Sequence, residues 1–215
     1  MIIKSNLIIW GRPAALNVQK ILWCAQELGL SYTNNVAGQH YGVIKEAHFL
    51  KMNPNGRIPV IDDDGFILYE SNAIIRYLWA KTFPSDCTSE HLQSWSHQDQ
   101  WMDWTSATLY YPLFREFFLY FARTPPENFS EAKVSQLFNS IEPLMKIAND
   151  QLGQAPFIAG KAFSMADIPL GVLIDKWEKI DQKKSNFLNL SLYYDRLLER
   201  KDYFNCVAQY ALNAV

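Results

Sequence analysis

The apolar run Leu7-Ile8-Ile9-Trp10 is stopped by Gly11-Arg12-Pro13, and from Asn17 onward Val18, Ile21, Leu22, Ala25 and Leu28 recur at helical spacing. The pattern predicts a buried strand followed by an amphipathic helix that Gly29 terminates. Residues 31–36 read as a second strand, so 7–36 form a βαβ unit, with a right-handed parallel crossover as the default. After a loop at 38–42 and a short helix over 44–51, Asn53-Pro54-Asn55-Gly56 is a turn by composition, since Pro fixes φ and Asn and Gly accept φ > 0. Val60-Ile61 and Phe66-Ile67-Leu68 flank Asp64-Gly65, a type I′ hairpin signal. Ala73, Ile74, Tyr77 and Leu78 then mark the apolar side of a helix that starts at Ser71.

Turn residues cluster from Phe83 to Ser89, and everything beyond is helical in pattern. Leu92, Trp95, Met102 and Leu109 mark one stripe of a long helix, with Asp99 a polar exception on it and Trp101, Trp104 and Thr108 on the other face. The helix resumes after Tyr111-Pro112 through Phe114, Phe117, Phe118 and Phe121, and Thr124-Pro125-Pro126 ends it. Ser130 caps the next helix, whose stripe runs from Val134 to Leu152 with Pro143 as a kink inside it. Ser164-Met165-Ala166-Asp167 is a capping-box pattern, with Phe163 and Ile168 as a hydrophobic staple. Two closing helices, roughly 187–200 and 202–211, place Leu190, Tyr194, Leu197, Phe204 and Val207 inward. The fold class is an α/β domain over 1–82 joined by a linker at 83–89 to an all-α bundle over 90–215.

Composition narrows the function classes. Half of the 215 residues are apolar and a fifth charged, as in ordinary globular domains. Lys plus Arg number 20 against 22 Asp plus Glu, so no electrostatic footprint points to nucleic acid or to an anionic membrane. The first residues fit neither a signal peptide nor a spanning helix, and a cytoplasmic address follows by default. Cys24, Cys87 and Cys206 are odd in number and far apart, and His40, His48, His91 and His97 form no metal-ligand pair, so no metal is expected. Asp62-Asp63-Asp64-Gly65 lacks the distal Glu of a calcium loop, Ala73 standing there, and reads as a charged hairpin tip.

Two chemical devices flank the hairpin. The Ile58-Pro59 bond enters a strand directly from a tight turn, a setting that favours a cis bond and turns the Ile58 main chain outward to pair with a peptide-like ligand. Ser71, as a helix N-cap, sits where unpaired N–H groups and the helix dipole accept a carboxylate or phosphate.

The residues Asn53-Pro54-Asn55-Gly56-Arg57-Ile58-Pro59, then the hairpin, then Glu70-Ser71-Asn72-Ala73-Ile74-Ile75-Arg76-Tyr77-Leu78, resemble the glutathione-binding half of the cytosolic glutathione S-transferases. The βαβαββα order matches the thioredoxin-like domain of that family. The segment from Ala159 to Pro169 also resembles it, at a buried helix start that is structural in role. The resemblance implies that Ile58 binds the cysteinyl backbone of glutathione while Glu70 and Ser71 hold its γ-glutamyl end, with Arg57, Pro59 and His40 completing the glutathione site. It implies a homodimer, with exposed Phe66 and Tyr69 beside Arg76 and with Asp99 or Asp103 reaching the partner's site. The aromatic surface of the long helix reads first as core, and a share of it, Trp101, Trp104, Thr108 and Tyr111, could line an apolar substrate pocket.

The expected chemistry is activation of the glutathione thiol for attack on a small apolar electrophile. A free thiol with pKa near about 8.5 is mostly protonated at neutral pH, so a donor must stabilise the thiolate. Family members place Tyr, Ser, Cys or a Thr/Asn pair between the first strand and helix, yet the loop Gly11-Arg12-Pro13-Ala14-Ala15-Leu16-Asn17 has no hydroxyl or thiol. Asn17, through its amide, and Arg12, through its charge, are the candidate catalytic residues, and Asn17 could equally be a helix N-cap. Cys24 lies too far into the helix and reads as core. Glutathione-dependent disulfide reduction, dehalogenation, or non-catalytic binding of apolar ligands or proteins stay open as alternatives.

Overall fold

The computed structural model describes residues 6–84, 88–180 and 186–211. By packing, the described residues divide into two units, one holding 6–84 and 202–210, the other 88–180, 186–201 and 211. The first unit runs β1 (Leu7–Trp10), α1 (Leu16–Glu27), β2 (Tyr32–Asn35), α2 (Ala47–Met52), β3 (Val60–Asp63), β4 (Phe66–Tyr69) and α3 (Ser71–Thr82). The sheet order is β2-β1-β3-β4, with β1 parallel to β2 and antiparallel to β3, and β3 antiparallel to β4. Along β1 the buried Leu7 and Ile9 alternate with partly exposed Ile8 and Trp10, as expected of a pleated strand.

The hairpin turns at Asp64 (φ 53°) and Gly65 (φ 92°), the double positive φ of a type I′ turn. The Gly65 N–H donates to Asp62 Oδ1 at 2.7 Å and closes the tip. Asp63 does not belong to a charged tip, as the sequence suggests, but is buried. Its carboxylate accepts from the Tyr77 hydroxyl at 2.6 Å and pairs with the Lys81 ammonium, which ties the hairpin to α3. A buried carboxylate needs such partners, and strand alternation turns Asp63 inward where its neighbours face out.

The segment Lys201–Tyr203 continues into a π-helical turn, Phe204–Ala208, that packs on α1. Tyr203 is buried with its ring edge-on to Trp23 at 4.7 Å, and it is Phe204 that faces out, half exposed. The expected inward residue is therefore displaced by one position, because Trp23 offers the aromatic partner on the Tyr203 side.

In the second unit α4 (Ser89–Trp104) widens into π-helical geometry over Thr105–Leu109 and Tyr111–Phe118 and ends as α5 (Leu119–Arg123). It is followed by α6 (Glu131–Leu152), α7 (Asp167–Glu178) and α8 (Leu188–Leu198). Phe117 is the hub of the core, with ring contacts to Phe121 at 4.9 Å, Phe138 at 5.0 Å and Trp177 at 5.2 Å. On α8 it is Tyr193, not Tyr194, that is fully buried, since its hydroxyl donates to Asp167 Oδ1 at 3.1 Å. Along α4 and its π-helical continuation the stripe holds for Met102 and Leu109, but Leu92 is 56% exposed. Cys24 and Cys206 are free and buried, and Cys87 lies outside the described residues.

Candidate functional site

The loop after β1 is fixed from both sides. Its backbone donates from Gly11 to the Asn35 carbonyl (2.9 Å) and from Arg12 to the Ala37 carbonyl (3.0 Å). The Asn34 side-chain amide donates in turn to the carbonyls of Ile9 (2.9 Å) and Gly11 (3.0 Å). Two glycines bracket Ile58 here. A Cβ at Gly11 would run into the Val18 side chain and stand 3.3 Å from Ile58 Cβ, and one at Gly38 would stand 3.0 Å from Ile58 Cδ1. Both glycines also hold positive φ, 153° and 93°, which side chains disfavour. Ile58 is thereby placed by backbone approach, packed against the buried cluster of Ala37, Phe49 and Val60.

The turn before Ile58 is built by one side chain. Asn53, buried, accepts the Asn55 N–H at 3.1 Å and donates to the Arg57 carbonyl at 2.8 Å, the Asx pattern that Asn favours. The Ile58-Pro59 bond is cis, and Arg57 itself is exposed.

Glu70 takes φ 70° and ψ 112° at the entry to α3, a left-handed position rarely held by a side chain. Because Glu70 occupies the capping position, Ser71 is not the N-cap that the sequence suggests but the first helical residue. Its buried hydroxyl donates to Asn17 Oδ1 at 3.4 Å. Asn17 is likewise no cap, since Ala15 holds that position on α1 and supplies no side-chain bond. An amide whose oxygen accepts in this way presents its two N–H groups as donors.

One turn beyond Asn17, Lys20 is 3% exposed. Burial pushes its pKa down to about 8, with the Glu70 charge acting upward. Sequence periodicity did not flag it, because a lone Lys on an otherwise apolar stretch reads as a solvated position.

Arg12 and His40 share a cavity of about 300 Å³ with Pro13, Ala14, Gln39, Tyr41 and Tyr210. The His40 and Tyr41 rings lie 3.9 Å apart. Burial lowers the Arg12 pKa, with Tyr41 acting the other way, and the guanidinium stays charged at neutral pH. Tyr210 was missed by sequence reasoning, its only signal being an aromatic ring in the last apolar stretch. The cavity lining includes none of Ile58, Glu70, Ser71 or Asn17, so His40 stands with Arg12 rather than with the other residues expected to bind glutathione.

The expected substrate-pocket residues do not share one environment. Trp101 is buried with its ring edge toward Trp104 at 5.2 Å, while Thr108 and Tyr111 are exposed. A cavity in the second unit, lined by Asn139, Glu142, Pro143, Lys146 and Phe187, includes none of them. No helix among the described residues is long and apolar enough to cross a membrane.

Known proteins share this fold. Residues 16–81 match the N-terminal domain of glutathione S-transferases. Glutathione S-transferase GstB of Escherichia coli (strain K12) is 32% identical over 196 residues, covering 90% of this chain and 94% of that protein. The crystal structure of the theta class glutathione S-transferase from Xanthomonas axonopodis pv. citri, with glutathione bound, is 34% identical. It superposes with a TM-score of 0.85, covering 97% of this chain and 99% of that one. A Bombyx mori glutathione transferase, at 24% identity and a TM-score of 0.80, shares the fold. The chain belongs to the glutathione S-transferase family.

Proposed function

We propose that Asn17 stabilises the glutathione thiolate through its side-chain amide, in a chain whose family membership makes it a glutathione transferase. The observation that carries this reading is the Ser71 hydroxyl bonded to Asn17 Oδ1, which links the first turns of α1 and α3 and orients the Asn17 N–H groups as donors. Glutathione then lies with its cysteinyl backbone on Ile58 and its γ-glutamyl end at Glu70 and Ser71. The first turn of α3 adds main-chain donors and the positive end of the helix dipole. Arg57 and Pro59 frame the turn that presents Ile58.

In the division of labour proposed here, residues 1–82 hold glutathione and residues 90–215 serve the electrophile, with Trp104, Thr108 and Tyr111 as contacts. The transferase acts as a homodimer, with Phe66, 48% exposed on β4, in the interface. Monomeric mass in sedimentation at micromolar concentration would count against this.

The deciding measurement for Asn17 is the thiolate absorbance of bound glutathione against pH. Hydrogen bonds to a charged group contribute about 1.5–3 kcal/mol, so Asn17→Ala should raise the thiol pKa and slow the chemical step about ten- to a hundredfold with glutathione affinity nearly intact. Superimposable titrations for wild type and variant would shift the role to Arg12 or to main-chain donors at Leu16 and Asn17.

A further inference from the structure

We propose that Asn55 is a site of spontaneous covalent modification: its side-chain amide is lost by cyclisation onto the Gly56 nitrogen, and the aspartate or isoaspartate that results dismantles the turn presenting Ile58. The modification rests on the turn alone, and its effect on glutathione binding rests on the transferase reading.

Asn55-Gly56 is the one Asn-Gly pair in the sequence. Asn55 is exposed, and Gly56 has no side chain to shield its nitrogen. Nor can the fold replace that glycine without strain, since Gly56 holds φ 60° and a Cβ there would stand 3.0 Å from the Ile44 carbonyl oxygen. The residue that the turn requires is thus the one that leaves it open to this chemistry.

In the reaction the Gly56 main-chain nitrogen bonds to Asn55 Cγ, the Cγ–Nδ2 bond breaks, and the amide nitrogen leaves as ammonia with the proton that Gly56 gives up. Water then opens the cyclic imide. Opening at Cγ restores the ordinary backbone as aspartate, and opening at the Asn55 main-chain carbonyl leaves the chain running through Cγ as isoaspartate. Water is the only co-reactant.

Hydrogen bonds to Asn53 restrain the reacting atoms. The Gly56 N–H donates to the Asn53 carbonyl at 3.0 Å. The Asn55 main-chain N–H and its side-chain Nδ2 both donate to Asn53 Oδ1, at 3.1 and 3.0 Å. Asn53 is itself buried and is fixed from its other side by the bond from its Nδ2 to the Arg57 carbonyl at 2.8 Å. Swinging Cγ onto the Gly56 nitrogen parts Nδ2 from Asn53 Oδ1 and takes the Gly56 proton from its acceptor, so the reaction proceeds through a local opening of the turn. The product does not close the turn as before. A carboxylate oxygen replaces the Nδ2 donor and faces the Asn53 Oδ1 acceptor, and isoaspartate adds a main-chain carbon just ahead of Gly56, Arg57 and Ile58.

To test this, the full chain is held at mildly alkaline pH, native and in guanidinium chloride, and residue 55 is followed by peptide mapping with isoaspartate detection. Conversion should be slower in the native chain by about ten- to a hundredfold, the effect expected of opening a few hydrogen bonds. Asn53→Ala should move the native rate toward that of the unfolded chain. Because Asn53 is buried and its loss endangers the fold, the wild-type ratio serves as the test by itself. Equal rates in the two states would overturn the restraint by Asn53. A native chain whose residue 55 stays fully amidated over about three hundred unfolded-chain half-lives would overturn the site.

Converted chain should lose about tenfold or more of its affinity for glutathione resin, whereas Asn55→Gln, which keeps an amide but cyclises far more slowly, should hold its retention through the same incubation. Equal retention of converted and unconverted chain would overturn the effect on binding. Retention of neither would refute the glutathione reading, and that effect with it, while conversion at residue 55, read by mass, would stand.

Discussion

The helices of the second unit start under cover, and those at the candidate site do not. α4 is capped by Thr88, whose hydroxyl accepts the His91 N–H at 3.3 Å, and carries Glu90 in its first turn. α6 is capped by Ser130, which accepts from the Lys133 N–H at 3.4 Å, with Glu131 following. α7 opens on Asp167, which accepts from the Ser164 N–H at 2.9 Å and the Ile158 N–H at 3.0 Å. Even α8, without a cap of its own, donates from Asn189 N–H to Asn149 Oδ1 at 3.0 Å.

In the first unit, α1 and α3 have neither a side-chain cap nor an acid in the first turn. Instead Lys20 is buried one turn in, and Glu70 precedes α3 in a left-handed conformation. A helix start without a side-chain cap leaves its first main-chain N–H groups to other partners. The broken capping rule thus coincides with the candidate site, where local preferences give way to function.

The comparison can be broken hardest at α7. Asp167→Ala strands the buried N–H groups of Ile158 and Ser164 and the Tyr193 hydroxyl, and should cost about 4 kcal/mol in urea unfolding. Burial pushes the Asp167 carboxyl up to about 6, against the hydrogen bonds that favour its ionised form. Between about pH 4 and pH 6 the native state keeps a proton that the unfolded chain has released. Its contribution therefore falls as pH rises through that window and levels off above it, a slope that Asp167→Ala should lack.

Lys20 has the opposite sign. With its folded pKa pushed down to about 8, the native state sheds a proton that the unfolded chain keeps until its ordinary pKa near about 10.4. Stability should rise by about 3 kcal/mol as pH goes from 8 to 10, and Lys20→Met should remove the slope. A flat wild-type profile in thermal unfolding over that range would defeat the reading.

Matched caps sharpen the contrast. Ser71→Ala should weaken glutathione binding about ten- to a hundredfold in calorimetry and barely change stability, whereas Ser130→Ala should cost about 1 kcal/mol of stability and leave binding alone. The smallest effect is a gain. Ala15 has extended φ −72° and ψ 128°, suited to a cap, so Ala15→Asp should stabilise the chain by about 0.5–1 kcal/mol. The new negative charge at the start of α1 should also raise the pKa of the bound thiol, so that stability and turnover move in opposite directions.

Much of the fold was legible because its signals are local: the apolar run of β1, the Asp64-Gly65 turn, the Ser130 cap and the Ser164-to-Asp167 box each act within a few residues. The Asn53 turn, the hairpin and the helix that runs on past Leu78 were legible for the same reason. What escaped depends on distance. Whether Asp63 or Lys20 is buried is decided by Tyr77, Lys81 and Glu70, residues outside any local window. The one-residue displacements at Tyr193 and Tyr203 follow from the partners Asp167 and Trp23, which periodicity cannot see. Ser71 was read as a cap because composition does not reveal that Glu70 takes the left-handed position before it.

The return of residues 202–210 to the first unit has a consequence for how the site comes into being. On the ribosome the sheet and α1 emerge early, yet the wall that Tyr210 gives the Arg12 cavity, and the ring that Tyr203 lays on Trp23, arrive only after more than a hundred further residues have been made. Until then Trp23 and the side of α1 under Tyr203 stand open to water and to chaperones. A fragment stopping at residue 84 should expose that face, binding hydrophobic dyes where the whole chain does not, so that the order of synthesis makes the cavity beside the β1–α1 loop one of the last features to be completed.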